Sequence, residues 1–501
     1  MKPVSWIAGL LALASAANAA DLRVLEAVKS GNVDSARALV QQHADINAPG
    51  ADGLTPLHLA VQAADGRMTE LLLSAGANAN ATDRYGITPL WLAATNGDAS
   101  AIQALIKAGA NPNASLPEGE TVLMTAARTG KAGAIKELLA HGANPNAKES
   151  TLGETALMWA AAENHSEAVA ALIEGGADVN TRSTLLNLAP FKWVTSGMVS
   201  TTLPRGNWTA LMYAARQNAL GAARALAEKG ADLNLTDPDG TTALVFAIIN
   251  AHFDLAAMLL DKGADPNIAD DTGMAALYAA VDMHTLGPMI SRPAPKLVDE
   301  VDAADLTKRL LAHGANPNAR LKKPVLGRHH DGGDASLGEG ATPLMRATKT
   351  NDTSVMKLLL DGSASPFLTL KDYTTPLMIT AAGGARAGSY AAAFAVTEAG
   401  TIEAMKLLID YGADVNAFNS NGQTALHRAA QRGADQVVRF LADQGAKLDM
   451  KDKQGRMPVD LAKEPTRNPG AAPGPGHDST VALLRQLMTS TAPPKSTEPR
   501  P

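Results

Sequence analysis

The sequence predicts an all-α solenoid of about twelve helix-turn-helix units, and three observations carry that prediction. A short signature returns about every 33 residues: Thr55-Pro56-Leu57-His58, Thr88-Pro89-Leu90-Trp91, Thr121-Val122-Leu123-Met124 and Thr155-Ala156-Leu157-Met158. A second signature interleaves with it in fixed phase: Gly76-Ala77-Asn78-Ala79-Asn80, Gly109-Ala110-Asn111-Pro112-Asn113 and Gly142-Ala143-Asn144-Pro145-Asn146. Aromatics make up only 4% of the 501 residues, which suits thin helix pairs better than a thick globular core. A unit of this length cannot bury its apolar face alone and is stable only when stacked on copies of itself.

Each part of the unit has a mechanical reason. Thr is a good N-cap, and Pro suits the first helical position because its missing N–H would be unpaired there in any case. The following Leu faces inward. Small pairs such as Ala93-Ala94, Ala126-Ala127 and Ala214-Ala215 let a second helix approach closely. That second helix ends in apolar pairs such as Leu72-Leu73 and Leu138-Leu139, and Gly stops it in the left-handed conformation. Asn or Asp two and four residues later can bond local backbone in a tight turn.

The first signature continues at Thr209, Thr242, Ala275, Thr342, Thr375, Thr424 and Met457, with the Thr lost at Ala275 and Met457. The turn signature continues at Gly176, Gly230, Gly263, Gly314 and Gly412, with weaker copies at 43–47, 362–366 and 445–449. These motifs resemble the ankyrin repeat. The resemblance covers most of the chain from about Asp21 to Met488. Units are expected at 22–51, 52–84, 85–117, 118–151, 152–205, 206–238, 239–271, 272–338, 339–371, 372–420, 421–453 and, as a capping unit, 454–488. In this family the fingers and first helices line a concave face where partners bind.

The N-terminus reads as a secretory signal: Met1-Lys2-Pro3, an apolar run from Val4 to Ala14, then Ala17-Asn18-Ala19. Cleavage is expected after Ala19, giving a periplasmic or secreted product. No Cys follows, so no lipid anchor is expected. No other stretch reaches the 18 or so apolar residues that span a bilayer. With no cysteine anywhere, disulfides, thiolate metal sites and thiol nucleophiles are excluded. The net charge is −6, or −7 once Lys2 leaves, and no basic stripe stands out. Nucleic acid is therefore not an expected partner. The tail, 489–501, reads as disordered.

The period breaks at four places. Residues 181–206 enlarge one finger, 282–301 separate the helices of one unit, 320–338 enlarge the next finger, and 383–399 separate the helices of the tenth. The Pro/Gly-rich stretch 465–477 reads as a linker before a last helix, Ser479–Met488. Insertions in repeat arrays map to loops, and loops on a rigid scaffold often carry function. The first enlarged finger holds Phe191, Trp193 and Met198, with Trp208 just beyond. Exposed aromatics of this kind mark interaction sites; the bland alternative is that they anchor the loop to the solenoid. The second holds Arg328, His329, His330, Asp331 and Asp334. Its His/Asp cluster raises a weak metal hypothesis, against which adjacent histidines in an extended loop point opposite ways. Contact with an anion or a partner, or a plain solvated loop, are the competing readings.

Rim positions flank the first helices, and the partner-binding candidates among them are Tyr85, Ile87, Arg128, Trp208, Arg216, Lys349 and Arg432, together with Phe191, Trp193 and Arg328 from the fingers. Glu120 belongs to the same rim. Trp159, Tyr213 and Phe246, each two residues after the signature Leu, are expected in the core. His58 and His427 match the family's Thr-Pro-Leu-His motif, where the resemblance implies a structural hydrogen-bonding role. Met replaces this His in most other units.

No nucleophile elbow, phosphate-binding loop or His-Glu-x-x-His helix is present, and every prominent polar motif has a structural explanation. The expected function is a non-catalytic, exported scaffold, monomeric and without cofactor, that binds another protein. The alternatives are a glycan or cell-wall ligand held by the aromatic 181–206 loop, and an enzyme or metal site around His329 and His330. The identity of the partner is not encoded in these features.

Overall fold

The computed structural model describes residues 21–186, 191–192, 200–201, 205–284, 299–323, 337–383, 396–464 and 476–490. The proposed signal segment, most of the aromatic finger, the His329/His330 cluster and residues 491–501 of the tail expected to be disordered lie outside the described residues. The described chain holds twenty-four helices in twelve antiparallel pairs, and it divides into two compact units.

Unit 1 comprises residues up to Leu186 together with Gly206–Asp232. Its first helices are Arg23–Lys29 (α1), Pro56–Gln62 (α3), Pro89–Asn96 (α5), Val122–Arg128 (α7), Ala156–Ala162 (α9) and Ala210–Arg216 (α11). Their partners are Val33–Gln41 (α2), Gly66–Ser74 (α4), Ala99–Lys107 (α6), Ala132–Ala140 (α8), Ser166–Glu174 (α10) and Leu220–Glu228 (α12). Each first helix packs on its own partner and on the first helices before and after it, so contacts stay local.

Unit 2 repeats the plan. Its pairs are Ala243–Ile249 and Phe253–Asp261 (α13, α14), Ala276–His284 and Ala303–Ala312 (α15, α16), Pro343–Thr350 and Thr353–Asp361 (α17, α18), Pro376–Ala381 and Glu398–Asp410 (α19, α20), Ala425–Arg432 and Asp435–Asp443 (α21, α22), and Pro458–Lys463 and Asp478–Ser490 (α23, α24). The last helix is longer at both ends than the expected Ser479–Met488. Phe191–Lys192 and Ser200–Thr201 belong to unit 2 and pair as a two-residue antiparallel ladder.

The caps work as the residue types dictate. The Thr55, Thr88, Thr121, Thr155, Thr209, Thr242, Thr342, Thr375 and Thr424 hydroxyls each accept the backbone N–H three residues on. Where the Thr is lost at Met457, the Asp460 carboxylate reaches back to the Met457 N–H at 3.1 Å. The left-handed turn closing each second helix is taken by Gly at 76, 109 and 142, and by His43 and Ser363 in the degenerate copies. Those two residues hold a conformation that favours glycine.

A ladder of Asn side chains ties successive turns together. Asn113 Nδ2 donates to the Gly142 carbonyl at 2.9 Å, and its Oδ1 accepts the Asn144 N–H at 2.8 Å. Asn80 does the same one unit earlier, toward Gly109 and Asn111. At Phe367 the ladder loses its Asn, and the ring lies against Gly412 instead.

Candidate functional site

The signature histidines are structural. The Thr55 N–H donates to His58 Nδ1 at 3.2 Å, so Nδ1 carries no proton and Nε2–H donates to the Ile87 carbonyl at 3.0 Å. His427 repeats this with Thr424 and the Arg456 carbonyl. Burial, first, holds both imidazoles below the usual histidine range. In α7, Met124 Sδ accepts the Thr121 N–H at 3.4 Å, so a thioether replaces the ring nitrogen.

A group of aromatic and charged side chains in unit 1 lies across the first helices α7, α9 and α11. Trp159, in α9, is half-buried. Its indole N–H donates to Glu154 Oε2 at 2.8 Å, and the Arg128 guanidinium sits 5.3 Å over its ring. Arg128 also pairs with Glu120 at 3.3 Å, and Glu120 accepts the Thr125 hydroxyl at 2.9 Å. One repeat on, Tyr213 meets the Trp208 ring edge-on with centroids 5.3 Å apart, and the Arg216 guanidinium lies 5.3 Å over Trp208. Burial, first, and the nearby Glu154 carboxylate push the Tyr213 phenol well above its usual range, against the opposing effect of Ser183. The phenol is therefore a proton-bearing donor at any working pH.

The chain builds this cluster by local means. The small residues of α9, Ala160, Ala161 and Ala162, let α7 and α11 approach closely on either side. The Trp208 N–H donates to Ser183 Oγ at 3.0 Å and the Ser183 N–H donates to the Trp208 carbonyl at 2.9 Å, so the base of the enlarged finger is zipped shut. Guanidiniums stacked on aromatic faces lose little hydration and are held in place.

The sequence candidates fall into distinct groups. Tyr85 stands out from its finger, 68% exposed, with the Arg84 guanidinium 5.2 Å from its ring centroid. Ile87 is half-buried, and its carbonyl serves His58. Arg128 and Arg216 are exposed over their aromatic partners. Trp208 corrects the expectation of a rim contact: it is 4% exposed, because Tyr213 and Arg216 cover it. Arg432 is also corrected. It turns inward, where Nη2 donates to the Val396 carbonyl at 3.1 Å and the guanidinium lies against Gly383. It thus fastens both ends of the 384–395 insertion. Lys349 is half-buried at the end of α17. Phe191 lies in the short ladder, and Trp193, Arg328, His329, His330 and Asp331 fall outside the described residues. Among the described residues no group of His, Asp or Glu is placed to hold a metal ion.

Three residues were misplaced or missed in the sequence. Trp159 and Tyr213 are half-buried rather than core, whereas Phe246 is buried as expected. The preceding units behave alike, since Leu59 and Leu92 occupy the same place and are also only half-buried. Glu154, which joins the two aromatics, was not singled out.

Comparison with known proteins agrees with this architecture. Family models for ankyrin repeats match residues 24–115, 90–183, 191–285 and 383–452, and a single-repeat model matches 339–371. Together these spans cover more than half of the chain. The chain is 34% identical over 90 residues to cyclin-dependent kinase inhibitor 2A of Monodelphis domestica, covering 18% of this chain and 47% of that protein. It is 39% identical over 62 residues to protein phosphatase 1 regulatory subunit 27 of Mus musculus, covering 12% and 40%. It is 37% identical over 101 residues to potassium channel AKT1 of Oryza sativa subsp. indica, covering 20% and 10%. The match thus spans less than half the length of each of these relatives. No described helix is long and apolar enough to cross a membrane.

Proposed function

Because the chain belongs to the ankyrin-repeat family, whose members act in general as protein-binding scaffolds, we propose that it is an exported, non-catalytic adaptor that holds a protein partner on the first-helix face of unit 1. Its named relatives include a kinase inhibitor and a phosphatase regulatory subunit, both of which act on another protein. The observation that carries the reading is the Arg128–Trp159 and Arg216–Trp208 pairing, with Glu154 holding the Trp159 indole and Tyr213 edge-on to Trp208. A side chain such as Trp159, half-open and held by a hydrogen bond at its polar end, is a preorganised anchor for a partner. In this family that face is the concave side. The mature protein begins at Ala20 and works as a monomer in the periplasm or outside the cell.

The test uses the full mature chain immobilised on a matrix. A protein retained from envelope extract by the wild type, and lost from Trp159→Ala with its melting temperature unchanged, supports the reading. Equal retention by Trp159→Ala and the wild type contradicts it. Export is read separately, by N-terminal sequencing of the protein recovered from a periplasmic fraction.

A further inference from the structure

The charges on this face are ordered as well as its aromatics. Of the carboxylates among the described residues of α7, α9, α11 and their leading fingers, Glu120 is held by Thr125 and Arg128, and Glu154 is held by the Trp159 indole. Neither is free to meet a partner. Glu163, exposed at the C-cap of α9, and Glu118, exposed in the finger before α7, are carboxylates left open. Arg128 keeps 52% of its side chain exposed despite its pairing, and Arg216 has no carboxylate partner among the described residues. Both guanidiniums are fixed by ring stacking and sit at the same place in their units, seven residues after the capping Thr. Between them the equivalent place is Ala162, a small residue, and Ala162 and Trp159 are both half-buried rather than sealed.

Resting on the docking face proposed above, we propose that the partner lays an extended, acidic segment across unit 1. One carboxylate seats on Arg128 and a second on Arg216, with an apolar side chain between them over Trp159 beside Ala162. Packed helices lie about 8–10 Å apart, so the two guanidiniums, two units apart, stand on the order of 16–20 Å from each other. An extended chain rises about 3.3 Å per residue, which sets the two acidic residues about five or six positions apart. Planar guanidiniums favour bidentate contact with carboxylates.

The test is fluorescence anisotropy on the full mature chain. The probe is a fluorescein-labelled peptide with two Glu about six positions apart and a central Leu; the control carries Lys at both Glu positions. The Glu peptide is expected to bind and the Lys peptide to fail. Arg128→Gln combined with Arg216→Gln should weaken binding about tenfold or more, and added salt should weaken it further. Glu163→Gln should tighten binding, because it removes an open carboxylate next to Ala162. Equal binding of both peptides, or a Glu-peptide affinity indifferent to the double variant at an unchanged melting temperature, overturns the proposal. The captured partner separates this from the docking reading. A partner lost from Trp159→Ala but retained by the double Arg variant keeps the face and overturns the acidic segment. A partner retained by all variants overturns the face itself.

Discussion

Asp282 and Arg346 form an ion pair sealed from water on both sides: Arg346 Nε stands 2.5 Å from Asp282 Oδ1, with the side chains 1% and 4% exposed respectively. These two residues occupy the same places in their repeats as Arg128 and Trp159 do in unit 1. Asp282 lies seven residues after Ala275, and Arg346 four residues after Thr342. The cation has moved to the other partner, and the pair has gone from an open aromatic stack to a closed polar contact. This contrast is why the partner face is assigned to unit 1.

A buried ion pair is costly to break from one side, because the survivor keeps its desolvation penalty without its counterion. Asp282→Leu should therefore destabilise unit 2 by about 3–5 kcal/mol. Adding Arg346→Met should recover most of that loss, since an apolar pair of similar volume carries no such penalty. Urea unfolding followed by circular dichroism measures both. If the double variant is no more stable than Asp282→Leu, the pair is not coupled as described.

The signature histidines predict an acid-side loss of stability. Burial lowers His58 and His427 from the ordinary histidine value of 6.5, so the unfolded chain takes up their protons first as pH falls. Their contribution is full above that value and is lost as pH drops through each ring's depressed folded value. His284 has the opposite sign. Its ion pair with Asp352, at 2.6 Å, raises it above 6.5, so that contribution is full below 6.5 and is lost as pH rises through the raised value. Asp352, lowered to about 2, keeps its charge until strongly acid pH. Replacing both signature histidines by Met, the residue most other units use, should flatten the decline in melting temperature below pH 6.5, while His284→Gln should flatten only the alkaline side. An acid limb unchanged by the double Met variant would contradict the tautomer assigned to His58.

Asn113 satisfies two backbone groups of the following turn at once, the Gly142 carbonyl and the Asn144 N–H. Asn113→Ala should cost about 1–2 kcal/mol, because both groups then depend on water. Hydrogen exchange should quicken at Asn144 while α7 stays protected. Exchange that quickens equally throughout unit 1 would mean the ladder is not local.

Much of this architecture was legible because it is written within single units. The Thr caps, the small-residue pairs and the left-handed turns all depend on neighbours a few residues away, so the helix pairs could be placed from sequence. Side chains whose fate depends on a distant segment could not. Trp208 reads as a rim residue until Ser183, 25 positions earlier, is brought beside it by the closed finger. Arg432 reads as a rim cation until the base of an insertion supplies the Val396 carbonyl, 36 positions away. The Asp282–Arg346 contact spans 64 positions across an insertion, a separation that no periodic pattern reveals.

The pair α23 and α24 is the last described pair of unit 2. Val459, Leu461, Leu483 and Leu484 are buried, and α23 packs on α21 as α24 packs on α22. Removing residues 454–501 should uncover the apolar side of α21 and α22 and lead to aggregation, as expected when a solenoid loses its terminal shield. Light scattering at raised temperature reads this. A truncated chain that stays monomeric and melts unchanged would place the cap elsewhere.

The claim that unit 1 holds a protein on its first-helix face is tested most directly by site-specific photo-crosslinking. A photoreactive residue at Ala162, between Arg128 and Arg216, is compared with one at Lys136, exposed on the second helix α8. After irradiation in cells, the account predicts one discrete protein adduct from position 162 and none from position 136. An adduct from position 136 alone would contradict it.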